Sequence, residues 1–182
     1  MKNIYCLIIL LLGISNVNSQ NTFHIVGNDS IQNTNSSYPS IYGNYYRGVK
    51  NQFLVLASEM HAAGMNAGDI NGIAFDIVAS SGSTLTNFQV EMKSTTQNSI
   101  INWDDNNLTT QFGPSNYTDH IGWNQHNFSS PFYWDGISNI LIKTCFHCRY
   151  SLAQPLEAEK QVIKTKKSSF FHLILQQSYN HK

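Results

Sequence analysis

Charge is scarce in this chain. Asp, Glu, Lys and Arg make up 12% of its 182 residues, and eleven basic side chains balance eleven acidic ones. That balance leaves no basic field for nucleic acid to bind, so a nucleic-acid partner is not expected. Long hydrophobic runs are also missing after the N-terminus, so no transmembrane segment is expected in the mature chain. Glutamate is rare: the stretch from 21 to 145 holds only Glu59 and Glu91. Glycine stops at Gly136, and three cysteines leave no second Cys pair for a four-ligand zinc site. Wholesale disorder is excluded as well, because 41% of the residues are hydrophobic. Amide and hydroxyl side chains supply the polarity instead, with 21 Asn.

The first nineteen residues read as a secretion signal. Lys2 supplies a positive start, and Ile4 to Ile14 form an apolar run of signal-core length. Val17 and Ser19 sit at minus three and minus one for cleavage after Ser19. The run is shorter than the roughly 20 apolar residues a bilayer span needs. A secreted or cell-surface protein beginning near Gln20 is expected.

The neutral total hides two regions. From 21 to 145, Arg47, Lys50, Lys93 and Lys143 face nine carboxylates; from 146 to 182, six basic residues face Glu157 and Glu159. The acidic region reads as β structure. Phe88, Val90 and Met92 alternate with Gln89, Glu91 and Lys93, the period of a strand with one buried face. Ile73, Phe75 and Ile77 repeat the pattern, and so do Ile140 and Ile142 in the run Asn139 to Phe146, with Lys143 opposite. Residues 52–57 form a continuous apolar run that suits a strand buried on both faces. Turn-formers lie between the runs at 66–69, 80–83 and 113–116. Ser58 to Gly64 is expected to form one short helix, with Ser58 as its cap and Gly64 as its end. The fold class is therefore all-β: an antiparallel β-sandwich over residues 20–148, after a signal at 1–19. The basic tail, 149–182, shows no clear alternation. It is expected to be helical over Leu156 to Lys167, or disordered.

No motif commits the chain to catalysis. It has no His-Glu-x-x-His helix and no Gly-x-Ser-x-Gly elbow, and no catalytic residue is assigned. Glu91 is expected to be a solvated carboxylate on the polar face of a strand. In Cys145-Phe-His-Cys148, a redox pair would need a helix N-terminus, whereas a strand precedes it. A buried strand cysteine beside an unrelated one is expected, because i and i+3 of an extended strand diverge too far to bridge. Asp104-Asp105-Asn106-Asn107 packs oxygen ligands into a loop, so calcium is a candidate ligand there, although plain turns share that composition. No other cofactor is indicated. Exposed aromatic rings beside amides and carboxylates suit sugars or a protein partner. The candidate binding residues are Trp103, Asp104, Asp105, Tyr45 and Tyr46, while Trp123 and Trp134 are expected in the core.

A set of segments then occurs in order: Tyr38-Pro-x-x-Tyr42-Gly-Asn, Ala57-Ser-Glu59-Met-x-Ala62-Ala-Gly64, Gly68-Asp-Ile70-x-x-Ile73-Ala-Phe75, Gly122-Trp-Asn124 and Phe128-Ser-Ser-Pro131-Phe-Tyr-Trp-Asp-Gly136. Ser138-Asn-Ile-Leu and Thr144-Cys-Phe146 close it. Over residues 35–146 the chain resembles the β-sandwich module of large secreted and surface proteins of Bacteroidetes, especially flavobacteria using type IX secretion. The resemblance implies a jelly-roll-like accessory module with no assigned catalytic residues. Family members continue past the Cys-Phe strand with more β sequence, whereas this chain turns basic, as a truncated or frame-shifted copy would. The expected function is a noncatalytic surface module that binds glycan or a surface protein, or spaces other domains. The alternative is an accessory domain of a secreted peptidase or glycosidase that orients substrate.

Overall fold

A computed structural model describes residues 20–27, 40–44, 48–147, 163–165 and 173–179. Nine strands and one short helix occupy them: β1 (Gln20–Val26), β2 (Val49–Val55), α1 (Ala57–Ala62), β3 (Gly68–Ile77), β4 (Thr84–Thr95), β5 (Thr109–Thr118), β6 (Gly122–Trp134), β7 (Asn139–Phe146), β8 (Ile163–Thr165) and β9 (Leu173–Tyr179).

The strands form two sheets, ordered β1-β9-β3-β6 and β5-β4-β7-β2-β8. Every pairing is antiparallel except β2 with the three-residue β8. With β8 set aside, each sheet interleaves early and late strands, and the two orders are those of an eight-stranded jelly roll. The all-β sandwich read from the alternation is the observed fold.

Between the sheets lies one apolar core. Phe53, Val55, Val90, Met92, Ile140 and Ile142 point into it from the five-stranded sheet, and Ile73, Phe75, Leu173 and Leu175 from the other. Leu85 and Phe88 are three residues apart yet both buried. Asn87 between them takes φ 56°, and the β4–β5 register shifts there, so a bulge returns the apolar face inward.

Four expectations change. The turn-formers at 113–116 lie inside β5, an edge strand where Pro114 forfeits no ladder bond in mid-sheet. Gly113 is there because Phe88 O would lie 2.2 Å from any Cβ at that position. The helix is shorter than read: Ser58 does not cap it, and the Glu59 carboxylate accepts the Leu56 N–H at 2.9 Å instead. Gly64 does end that turn, at φ 84°. The tail supplies strands, not a helix, at 163–165, and β9 lies between β1 and β3. Leu173, Leu175 and Gln177 are buried and alternate with half-buried Ile174, Gln176 and Ser178, a two-residue period hidden by the apolar texture of the stretch. The rest of Leu156 to Lys167 lies outside the described residues, as does the signal segment. Finally, Cys145 is buried and disulfide-bonded, not a free strand cysteine; its partner lies outside the described residues. At His147 the chain leaves the extended path of β7, with φ 53°.

Candidate functional site

The connection from β4 to β5, residues 96–108, folds back across the outer face of the five-stranded sheet. That face is why residues 52–57 look apolar on both sides: Phe53 and Val55 enter the main core, whereas Leu54 points outward and meets Leu141 and Ile100 beneath the connection. We call this connection the flap.

Polar contacts fasten it. The buried Gln52 side chain pairs with the Asp104 backbone, its Nε2 donating to the carbonyl at 2.6 Å and its Oε1 accepting the N–H at 3.2 Å. At the other end, Asn139 Nδ2 donates to Gln97 O at 2.8 Å, and its Oδ1 accepts the Ala57 N–H at 2.7 Å, tying the flap to α1. These amides satisfy backbone groups that have no sheet neighbour.

Charge completes the attachment. Lys143 Nζ lies 2.6 Å from Asp105 Oδ1 and 2.9 Å from Glu91 Oε2. Glu91 and Lys143 stand directly opposite each other in the β4–β7 register. Glu91 is thus buried under the flap, not the solvated carboxylate expected. Lys93 Nζ pairs with Asp104 Oδ1 at 2.7 Å. The Lys93 hydrogen bond, helped by Asn106 and Gln97, holds the Asp104 carboxyl below its ordinary range against burial. For Asp105, burial pushes upward, but hydrogen bonds from Lys143 and Trp103 outweigh it and leave the carboxyl low. Burial likewise pulls Lys143 down, and its two carboxylate partners more than restore it.

The structure thus brings Trp103, Asp104 and Asp105 together, while Tyr45 and Tyr46 lie outside the described residues. The two aspartates face lysines, which is how an oxygen-rich loop reads when its carboxylates already have cations. Among the described residues, no group of three or more His, Cys, Asp or Glu side chains is placed to hold a metal ion.

Above these anchors the flap presents an open cleft of about 420 Å³, lined by Gln97, Asn98, Ile101, Asn102 and Trp103 among others. Trp103 is half-buried, and its indole Nε1 donates to Asp105 Oδ2 at 2.5 Å, which fixes the ring plane. Ile101 is 71% exposed. The amides beside the ring escaped sequence reasoning because nothing in their order marks them; the one available signal was the length of the connection, since structureless loops this long are uncommon and tend to be functional.

The other tryptophans divide. Trp134 is fully buried and donates to Ser138 O at 2.7 Å. Trp123, expected in the core, is 37% exposed on the outer side of β6, because Asn124 and His126 take the inward positions. The Trp134-Asp135-Gly136-Ile137-Ser138-Asn139 string is a structural turn. Asp135 accepts the N–H groups of Ile137 and Ser138 and the Ser138 hydroxyl, while Gly136 takes φ 78° against Ala67.

One polar cluster sits inside the core. The Tyr42 hydroxyl hydrogen-bonds His126 Nε2 at 2.6 Å, amid Phe88, Phe112 and Tyr117. Burial lowers His126 to about 4, so the imidazole is neutral, and its Nδ1 has no partner among the described residues.

Among the described residues, no helix is long and apolar enough to cross a membrane. Comparison of the chain with protein families, with curated proteins and with solved structures returned no match, so its function has to be argued from the flap's own geometry.

Proposed function

We propose that this chain is a noncatalytic module of an exported or cell-surface protein that binds neutral glycan at the flap cleft. One observation carries the reading: a tryptophan ring with a fixed plane stands among carboxamides at an open cleft. An aromatic face stacks on the C–H face of a sugar ring, and the amides of Gln97, Asn98 and Asn102 offer both donors and acceptors to hydroxyls. The cleft is close to electroneutral, because its carboxylate, Asp104, is paired with Lys93. That favours an uncharged ligand over an anionic one. The secretion-type N-terminus and the resemblance to flavobacterial surface modules support the same reading. In a longer polypeptide the cleft would hold substrate near a neighbouring hydrolase, the accessory role in a different setting.

The test is a glycan array followed by calorimetry on the hits. Trp103→Ala is expected to weaken binding at least tenfold with little change in thermal unfolding, and Trp103→Phe to restore part of it. Absence of any glycan ligand, or equal binding by Trp103→Ala, would overturn the reading. Capture of a defined surface protein that depends on Trp103 would replace glycan by a protein partner.

A further inference from the structure

Three ionisable groups that the glycan reading does not use meet beneath the flap: Lys143 on β7, Glu91 opposite it on β4, and Asp105 on the flap. The Lys143 and Glu91 side chains are almost enclosed, at 9% and 7% exposure, whereas Asp105 is about half open to solvent at 49%. Lys143 and Glu91 lie in a nearly dry place, where ionised groups carry a large desolvation penalty and an ion pair passes more readily to a neutral amine and a neutral acid.

We propose that Lys143 Nζ and the side-chain carboxyl of Asp105 condense into an intramolecular amide bond, with Glu91 relaying the proton. The geometry supplies each part. Nζ is already in contact with Asp105 at 2.6 Å, so folding replaces an encounter between two molecules with a held pair. Glu91 Oε2 lies 2.9 Å from the same nitrogen, within reach of its protons. Trp103 Nε1 donates to the other carboxyl oxygen, Oδ2, where negative charge develops when the carbon becomes tetrahedral.

The step balances. Within the ion pair a proton passes from the ammonium to the carboxylate, leaving a neutral amine and a neutral acid. The Nζ lone pair attacks Cγ of Asp105 and forms the C–N bond. Glu91 takes a proton from the nitrogen and returns it to Oδ1; the Cγ–Oδ1 bond breaks and one water leaves through the open side. Nothing is oxidised or reduced. Two opposite charges become one neutral amide, whose N–H then donates to Glu91. The product would lock the segment bearing Trp103 to the centre of the sheet, and it forms whether or not the cleft binds glycan.

Intact mass of the purified full chain, after reduction of its disulfide, tests the proposal. The expected mass is lower by one water than that calculated for the termini found. Trypsin should no longer cut after residue 143, and chymotrypsin should release a branched peptide joining the segments around residues 105 and 143. Lys143→Arg, which keeps the charge but removes the nucleophile, should show the full mass. Glu91→Gln should cut the linked fraction at least tenfold while circular dichroism shows a folded protein. Full mass and unbranched peptides in the unmutated chain would overturn the bond, and complete linkage in Glu91→Gln would overturn the relay.

Discussion

The Gln52 side chain treats Asp104 as a strand neighbour, giving its amide hydrogen to the Asp104 carbonyl at 2.6 Å and accepting the Asp104 N–H at 3.2 Å. Gln52→Leu keeps the volume and removes both bonds. It should destabilise the protein by about 1–3 kcal/mol, the cost of leaving part-buried backbone groups unpaired. Urea unfolding measures the loss, and limited proteolysis should show earlier cleavage within 96–108.

Ile100 is the flap's apolar anchor, packed on Leu54 and Leu141. Ile100→Ala should cost roughly 2–5 kcal/mol if the small cluster cannot close over the cavity. Glycan binding should weaken with it, because the same segment carries Trp103; calorimetry beside thermal unfolding separates the two effects.

His126 makes the core acid-sensitive. Burial lowers it from 6.5 to about 4, so the unfolded chain takes up a proton that the folded one refuses. The stabilisation is complete above pH 6.5 and is lost as pH falls from there towards 4, by roughly 3 kcal/mol. Burial pushes the Tyr42 and Tyr117 hydroxyls upward, so neither titrates in that window. Unfolding curves between pH 7 and 4 should show the decline, and His126→Gln should flatten it.

β9 pairs with β1 over seven residues and with β3 on its other side. A chain ending at residue 172 would lose the strand between them and uncover Ile73 and Phe75. It should fail to fold cooperatively, shown by loss of the β signal in circular dichroism and by aggregation through exposed strand edges. A cooperative transition in the shortened chain would show that the last strand is dispensable.

Alternation was legible wherever one face met the core and the other met water. The centres of β3 and β4 are read for that reason, whereas the run Asn139 to Phe146 is read to its exact bounds although all of its residues are buried. Alternation misleads where a second layer covers the polar face. Glu91 and Lys143 look like solvent-facing residues, yet the flap buries them. It also fails at Trp123, because a large ring does not show which side of its strand faces inward.

Periodicity, turn chemistry and composition were enough to specify stacked sheets, the helical turn ending at Gly64 and an aromatic beside Asp104 and Asp105. Those features depend on neighbours within a few residues, where backbone preference and side-chain period act directly. Tertiary structure alone decided that 96–108 closes over the sheet, that Lys143 sits between Glu91 and Asp105, and that β9 enters beside β3. Those contacts join residues 38 to 109 positions apart, and only packing of the whole chain determines which distant groups share a dry space.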